Sequence, residues 1–589
     1  MRFLSNIFSS ALGAMLGIIL LLLIVAGIVA SIAGVADVEV EEKTVLRFKL
    51  KGNLKEMAEE NPLNAFPEPV GNDGRKDWSL LKLLPAIDRA VADDRVEGMV
   101  IETGNFGAGF AALSEVRKRL EKFKESGKFV YAYSKGISEG QYYLLSVADS
   151  IFLHPWGDVE LNGIGSEITF FTGMFEKFGI QPEIFRVGEF KSAVEPYFRK
   201  SISDPSRKQT EIYLQALYDY YLDDVSQGRS LSIDSLNAIA ADMKVRGADD
   251  AKAMGLVDEI AYGDEVTDRV RQKLGLDEDE KPEFLSLMKY IKEEVEEEKD
   301  PSTNKVAVIV AEGPIMTGDG EFGEIGGDWV SKQIRKARKS KAVKAIVLRI
   351  NSPGGSALAS DIMWREVVRT KGEKPIFASM SDVAASGGYY MAMACDTIVA
   401  QPNTITGSIG IFGVTFEAEE LLTEELGLSF DEVTTHPMAN IGSPADEYTD
   451  EERAVFQERV ERGYEIFTGK AAEGRGLSVD SLKKLAGGRV WIGTDAHERG
   501  LVDVLGTFDD AVSMAAQSAG LEEGDYEPLF YYKKNKGFAG ILKQAKAAQL
   551  EEERKELLGE ELYPLYKEFQ QLNKLQGKPI MLLQEKMAW

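Results

Sequence analysis

A serine followed by two glycines stands at residues 386–388, inside the run SDVAASGGYYMA (381–392) that follows the apolar stretch PIFASM (375–380). A serine that opens a helix exposes its Oγ and aims the helix N-terminus at developing negative charge. A second glycine-rich turn, Asn351-Ser352-Pro353-Gly354-Gly355, follows the apolar stretch AIVLRI (345–350). Backbone N–H groups in such a turn can converge on an anion because no Cβ blocks the approach. Either turn alone is compatible with an ordinary loop. Two of them at neighbouring strand ends describe a nucleophile, Ser386, beside an oxyanion hole.

A serine nucleophile needs a base. The chain has three histidines, His154, His436 and His497, and none stands in a setting that sequence distinguishes from a surface histidine. Scattered histidines and a single cysteine, Cys395, also give no metal-ligand pattern, and no cofactor motif is found. A lysine can serve as base if burial lowers its pKa. Lys191 lies in GEFKSAV (188–194), after the strand-like EIFRV (183–187), among small and apolar neighbours. Most other lysines lie in charged amphipathic runs such as RKRLEKFKESGK. The residues alone leave the identity of the base open.

The elements that must position these residues occur twice. VEGMVIET (96–103) returns as VKAIVLRI (343–350), 129–155 returns as 376–402, GRSLSIDSL (228–236) returns as GRGLSVDSL (474–482), and GLVD recurs at 255–258 and 500–503. So long a period means tandem domains, not a solenoid. The copies differ where chemistry is concerned. The first has Glu139 (SEGQYY) where the second has Ser386 (ASGGYY), and GNFGAG (104–109) where the second has NSPGGS. Lys191 faces an apolar residue near Met438 in the second copy. A serine and a lysine, each missing from the other copy, suggest one site built from both halves.

Each copy reads as alternating strands and helices. In the second, KVAVIVA (305–311), AIVLRI (345–350), PIFASM (375–380) and DTIVAQP (396–402) are strands. Helices over SKQIRKARKS, SALASDIMWREVVRT and SGGYYMAMAC separate them. Continuous β-branched runs in this order predict a buried parallel sheet with right-handed crossovers, an α/β core. Ligand sites in such sheets lie at the carboxyl ends of strands, where both glycine-rich segments are expected as loops.

The net charge of −27 disfavours nucleic-acid binding. Acidic runs such as DEDEKPEF (277–284) and EEVEEEKD (293–300) read as solvated faces or linkers. No charged residue occurs from Phe3 to Ala36, and the apolar run is long enough to span a bilayer. An uncleaved anchor is expected, with a cleaved signal peptide as the alternative. Arg2 before it and DVEVEEK after it place the N-terminus in the cytoplasm. In a bacterial chain the catalytic body would then lie on the periplasmic side of the inner membrane. The expected division is a stub and transmembrane helix at 1–36, a first repeat at 37–300, a second at 301–530 and a helical tail at 531–589.

GEFKSAVEPY (188–197), INSPGGS (350–356), SDVAASGGYYMA (381–392) and TGSIGIFGV (406–414) resemble the motifs of the signal peptide peptidase A (protease IV) family in its long, tandem form. The resemblance extends from the anchor to about residue 525. It implies a tandem repeat of two α/β domains of the Clp protease/crotonase-like fold group. It further implies a Ser-Lys dyad of Ser386 as nucleophile and Lys191 as base, with Ser408 hydrogen-bonded to the base. Backbone N–H groups near Gly354 or Gly355 and Gly387 would form the oxyanion hole. Hydrophobic peptides, chiefly released signal peptides, are the implied substrates, and a homotetramer the implied assembly. A crotonase-like acyl-transfer enzyme and a non-catalytic membrane scaffold are the rival readings. The first needs no paired serine and lysine, and the second leaves their division between the copies unexplained.

Overall fold

The computed structural model describes residues 40–58, 77–292, 304–534, 550–559 and 580–582, with isolated positions in 13–17 and 563–570. The expected anchor lies outside the described residues. Among those described, no helix is long and apolar enough to cross a membrane. Residues 550–559 of the expected tail are helical.

The two repeats build matching parallel sheets. In the first, Thr44–Lys55, Val96–Gly107, Phe129–Ser134, Ser150–Leu153 and Glu259–Ile260 follow in that order, with Phe284–Ser286 also on Thr44–Lys55. In the second, Asn304–Glu312, Val343–Ser352, Ile376–Ala385, Thr397–Ala400 and Val504–Leu505 repeat the pattern, with Tyr526–Tyr531 on Asn304–Glu312. The continuous apolar runs thus form central strands covered on both faces: Val306–Ile309 and Ala345–Val347 have no solvent exposure. Helices of equal span, Asp204–Arg229 and Asp450–Arg475, occupy corresponding places.

Two expected loops prove to be largely strand. Ser381–Ala385 continues the Ile376–Ala385 strand, and Gly354–Ser356 is a short strand of its own. A register shift between Ile350 and Ser352 bends the neighbouring strand at this level. Beyond it, Val383–Ala385 pairs with Ile405–Gly407. The apolar pattern ends at Met380, but backbone pairing carries the strand up to the serine.

The repeats are interlocked rather than strung together. A third, smaller sheet takes Gln181–Arg186 from the first repeat and pairs it antiparallel with Phe412–Glu417 of the second. Arg349, with no exposure, donates to Glu56 at 2.8 Å and to Glu115 at 2.9 Å, both from the first repeat, and to the hydroxyls of Ser379 and Ser381. Asp382 accepts the Ala112 N–H at 2.9 Å, and burial raises its pKa. The first repeat's core also takes in Ala385, Ile405, Val490 and Ile492 of the second.

Candidate active site

Ser386 sits where the Ile376–Ala385 strand turns into the helix Gly387–Ala392. Its backbone, at φ 55° and ψ −111°, occupies a region that side-chain-bearing residues rarely adopt, at a cost of about 1–3 kcal/mol. Hydrogen bonds on both sides hold it there: its N–H donates to the Gly407 carbonyl at 2.8 Å, and its carbonyl accepts the Tyr390 N–H at 2.9 Å. The two glycines after it are required by close approach. A Cβ on Gly387 would lie 2.7 Å from Ser360 Oγ and 3.2 Å from Gly354 Cα, and one on Gly388 2.8 Å from the Ser352 carbonyl. The two glycine-rich segments singled out from sequence therefore pack directly together. The Gly354 N–H is committed to Ser352 Oγ at 3.1 Å.

Lys191 follows the Gln181–Arg186 strand and precedes a 3₁₀ turn, Ser192–Val194. That strand's pairing with Phe412–Glu417 carries the lysine into the second repeat. Its Nζ lies 2.8 Å from Ser386 Oγ, 2.9 Å from Ser408 Oγ and 3.1 Å from the Ser408 carbonyl. Lys191 is 1% exposed, and Ser386 has no exposure. Burial lowers the lysine pKa to about 7, with no carboxylate among the described residues beside it to stabilise the charge. Ser408, itself at a positive φ of 49°, is fixed by its N–H donating to the Arg489 carbonyl at 2.7 Å.

The lysine is clasped by residues that the motif reading did not single out. A Cβ on Gly488 would stand 2.6 Å from Lys191 Cα, and one on Gly410 3.3 Å from Lys191 Cδ. Phe190 donates its N–H to the Gly487 carbonyl at 3.1 Å. Gln209 bridges the repeats: its Nε2 donates to the Phe190 carbonyl and Ser192 Oγ, and its Oε1 accepts the Val490 N–H. A signal for the glycines was present. Carried forward from GRSLSIDSL and GRGLSVDSL, the repeats set Ala241-Asp242 opposite Gly487-Gly488, a divergence like that at Ser386.

The corresponding place in the first repeat holds no nucleophile. Glu139 there is 3% exposed and accepts the N–H groups of Gly163 at 2.9 Å and Asn162 at 3.2 Å. Burial raises its pKa to about 6. Met438 lies exposed in a loop of the second repeat. The histidines bond elsewhere: His154 to the Trp156 N–H, His436 to Thr435 and His497 to the Val502 carbonyl.

A buried serine held against a neutralisable lysine, with glycine-rich backbone alongside, can attack a carbonyl. The profile of Peptidase family S49 matches residues 122–277 and 369–522, one match in each repeat. The chain belongs to Peptidase family S49. It is 35% identical to Protease 4 of Haemophilus influenzae over 512 residues, covering 84% of this chain and 82% of that protein. Protease 4 of Salmonella typhi is 37% identical over 463 residues, 77% and 74% of the two chains. The chloroplastic serine protease SPPA of Arabidopsis thaliana is 35% identical over 451 residues, 75% of this chain and 66% of that one. This S49 chain is accordingly a serine peptidase, with the family match falling on both repeats.

Proposed function

We propose that this peptidase cleaves peptide bonds through a Ser-Lys dyad divided between its repeats. The carrying observation is the 2.8 Å approach of Lys191 Nζ to Ser386 Oγ in a dry site that lowers the lysine pKa to about 7. Neutral Lys191 accepts the Ser386 hydroxyl proton as Oγ attacks the substrate carbonyl carbon. The carbonyl oxygen takes up negative charge and is stabilised by backbone N–H groups of Gly387 and of the Gly354-Gly355 turn. The Gly354 N–H is engaged by Ser352 Oγ, so in this proposal the turn's donor is Gly355. The lysine then gives its proton to the leaving amine, and the acyl-enzyme forms. Water, losing a proton to the same lysine, hydrolyses it and frees Ser386. Ser408 Oγ keeps the amine aimed at the serine.

The substrate reading is hydrophobic, extended peptide, chiefly signal peptides released at a membrane. The family's motifs around Ser386 support this reading, and the uncharged stretch from Phe3 to Ala36 favours anchoring with the body on the periplasmic side. Assembly as a homotetramer belongs to the same proposal. A fluorophosphonate probe tests the dyad. The expected adduct is on the peptide containing Ser386, and Ser386→Ala is expected to lose the label and to lower turnover of a short apolar peptide at least about 10³-fold. An adduct on another serine, or substantial turnover by Ser386→Ala, rejects the assignment.

A further inference from the structure

The helix Phe110–Glu125 of the first repeat begins without a side-chain cap of its own. Gly109 stands at its N-cap position, and no acidic residue lies in its first turn. The carboxylate that serves it comes from the second repeat. Asp382 Oδ1 accepts the Ala112 N–H at 2.9 Å, at a helix end that favours negative charge. The approach is close enough to require the glycine, since a Cβ on Gly109 would lie 2.1 Å from Asp382 Cγ. A contact that ended there would be interface packing, but the bonds continue.

The other carboxylate oxygen of Asp382 accepts from Asn351 Nδ2 at 3.0 Å, and Asn351 Oδ1 accepts the Val383 N–H at 3.3 Å. The Asn351 side chain is thereby held at both ends of its amide, one residue before Ser352. From its backbone the bonds lead into the glycine-rich turn. The Asn351 carbonyl accepts the Gly313 N–H at 2.9 Å, and the Gly313 carbonyl accepts from Ser352 Oγ at 2.8 Å. Ser352 Oγ in turn accepts the Gly354 N–H at 3.1 Å. Asp382 also lies on the strand that leads to Ser386, four residues before it. One carboxylate thus ties a helix of the first repeat to the strand that carries the serine and to the turn beside it. Lys191 stands outside this chain of bonds, with its Nζ on Ser386 and Ser408.

We infer that Asn351 and Asp382 are positioning residues through which the first repeat sets the geometry of the oxyanion turn beside Ser386. The inference rests on that turn being the oxyanion site of the proposed peptidase. The first repeat then reaches the reaction by two separate routes: Lys191 acts on the serine, and the Asp382 contact acts through Asn351 on the turn. A turn displaced by about 1 Å still admits substrate, but its donor misses the charge that develops in the transition state. The loss therefore falls on kcat and leaves KM nearly unmoved.

The test uses the full chain and exchanges donor for acceptor. In Asp382→Asn the introduced amide can still accept from Ala112, but it turns an NH2 group toward Asn351 Nδ2, donor against donor. The double change Asn351→Asp with Asp382→Asn restores the bonds to Ala112 and Val383 and the bond between the two side chains, the last one reversed. Asp382→Asn is expected to lower kcat at least about tenfold with KM within about twofold. The acid limb of its rate profile should stay at about 7, because Lys191 keeps its surroundings. A trileucine aldehyde gives a second reading: Ser386 Oγ bonds to the aldehyde carbon, the oxygen gains the charge, and Lys191 takes the proton. It should bind Asp382→Asn more weakly in the same proportion as kcat falls. The double change should recover both quantities to within about threefold. Hydrogen exchange reads the turn without chemistry. The amides of Gly313 and Gly354, neither bonded to Asp382, are expected to exchange at least about tenfold faster in Asp382→Asn and to slow again in the double change. Equal exchange at these amides overturns the inference, as does an unchanged kcat in a chain whose Ser386 labels with fluorophosphonate, whatever the melting temperature does. A double change that folds without recovering kcat overturns it too, and if it does not fold, the kcat and KM of Asp382→Asn alone decide. If exchange responds and recovers while Ser386 stays unlabelled in the unsubstituted chain, the link to the turn stands and the nucleophile assignment falls.

Discussion

As the proposed base, Lys191 has to be buried enough to lose its proton near neutrality yet keep partners for its amine. It meets both demands with Ser386 Oγ and the Ser408 side chain and carbonyl as its only described hydrogen-bond partners. A nearby carboxylate would have kept the lysine charged and useless as a base. Activity is therefore expected to rise with pH through about 7, close to tenfold per unit on the acid side, and to level above it. A rate profile flat across that window, or falling through it, would remove the lysine from the base role. Lys191→Arg should be as inactive as Ser386→Ala, since guanidinium cannot act as a neutral base. The same group bears on stability. Folded Lys191 releases its proton near 7, whereas the unfolded side chain holds it to about 10.4. The unfolded chain binds more protons between those values, so this contribution is complete above the unfolded pKa and is lost as pH falls through the folded one. Lys191→Met should consequently abolish turnover while leaving the melting temperature at pH 6 equal or higher. A clear loss of stability at pH 6 would show that the buried amine is a structural necessity.

At the level of elements, the site depends on strands that end in unusual backbone and on glycines that let chain segments touch. Gly488, at φ 85°, faces Lys191 with no room for a Cβ. Gly488→Ala is expected to push the lysine backbone and lower kcat/KM about 10²-fold, a typical effect of misplacing a catalytic group by about 1 Å. Gly427→Ala provides the comparison: its φ is also positive, at 66°, but nothing lies within 4 Å of its Cβ position. It should cost some stability and leave activity almost unchanged. Equal activity losses in both variants would point to general backbone strain instead of displacement of Lys191. This part of the site also marks the limit of what the sequence discloses. Ser386 and the neighbouring glycines were legible because their pattern has a local physical reason, a turn opening a helix after an apolar strand. The parallel order of the central strands was legible from continuous apolar runs such as KVAVIVA. The role of Lys191 was not legible from its neighbours, because its burial is produced by Gly410 and Gly488, more than two hundred residues away. The strand Ile580–Leu582, which pairs with Gly354–Ser356, was equally hidden, since three apolar residues carry no mark of the edge they will join.

For the whole molecule, duplication followed by divergence has placed the proposed nucleophile and base in different repeats. The first supplies the lysine and keeps a buried Glu139 in the serine's place; the second supplies Ser386, Ser408 and the glycines that enclose the lysine. The interface itself is charged and dry. Arg349 is matched by Glu56 and Glu115 of the other repeat, and its guanidinium is held above its ordinary pKa by those carboxylates. Removing one side of such a buried set costs about 3–5 kcal/mol, because the remaining charges lose their partners. The strand Gln181–Arg186 would likewise lose its pairing partner if the repeats were separated. Fragments 37–300 and 301–589 produced separately should therefore be less stable than the intact chain, and neither should hydrolyse peptide. Produced together, they are expected to recover activity, since every cross-repeat contact described above is noncovalent. The measurement is fluorophosphonate labelling of the 301–589 fragment with and without its counterpart, followed by unfolding midpoints of each. Labelling should appear only in the mixture, and a Lys191→Met change in the first fragment should remove it. A 301–589 fragment that labels at the intact chain's rate by itself would mean that a base within the second repeat activates Ser386, and that the contact with Lys191 is architectural.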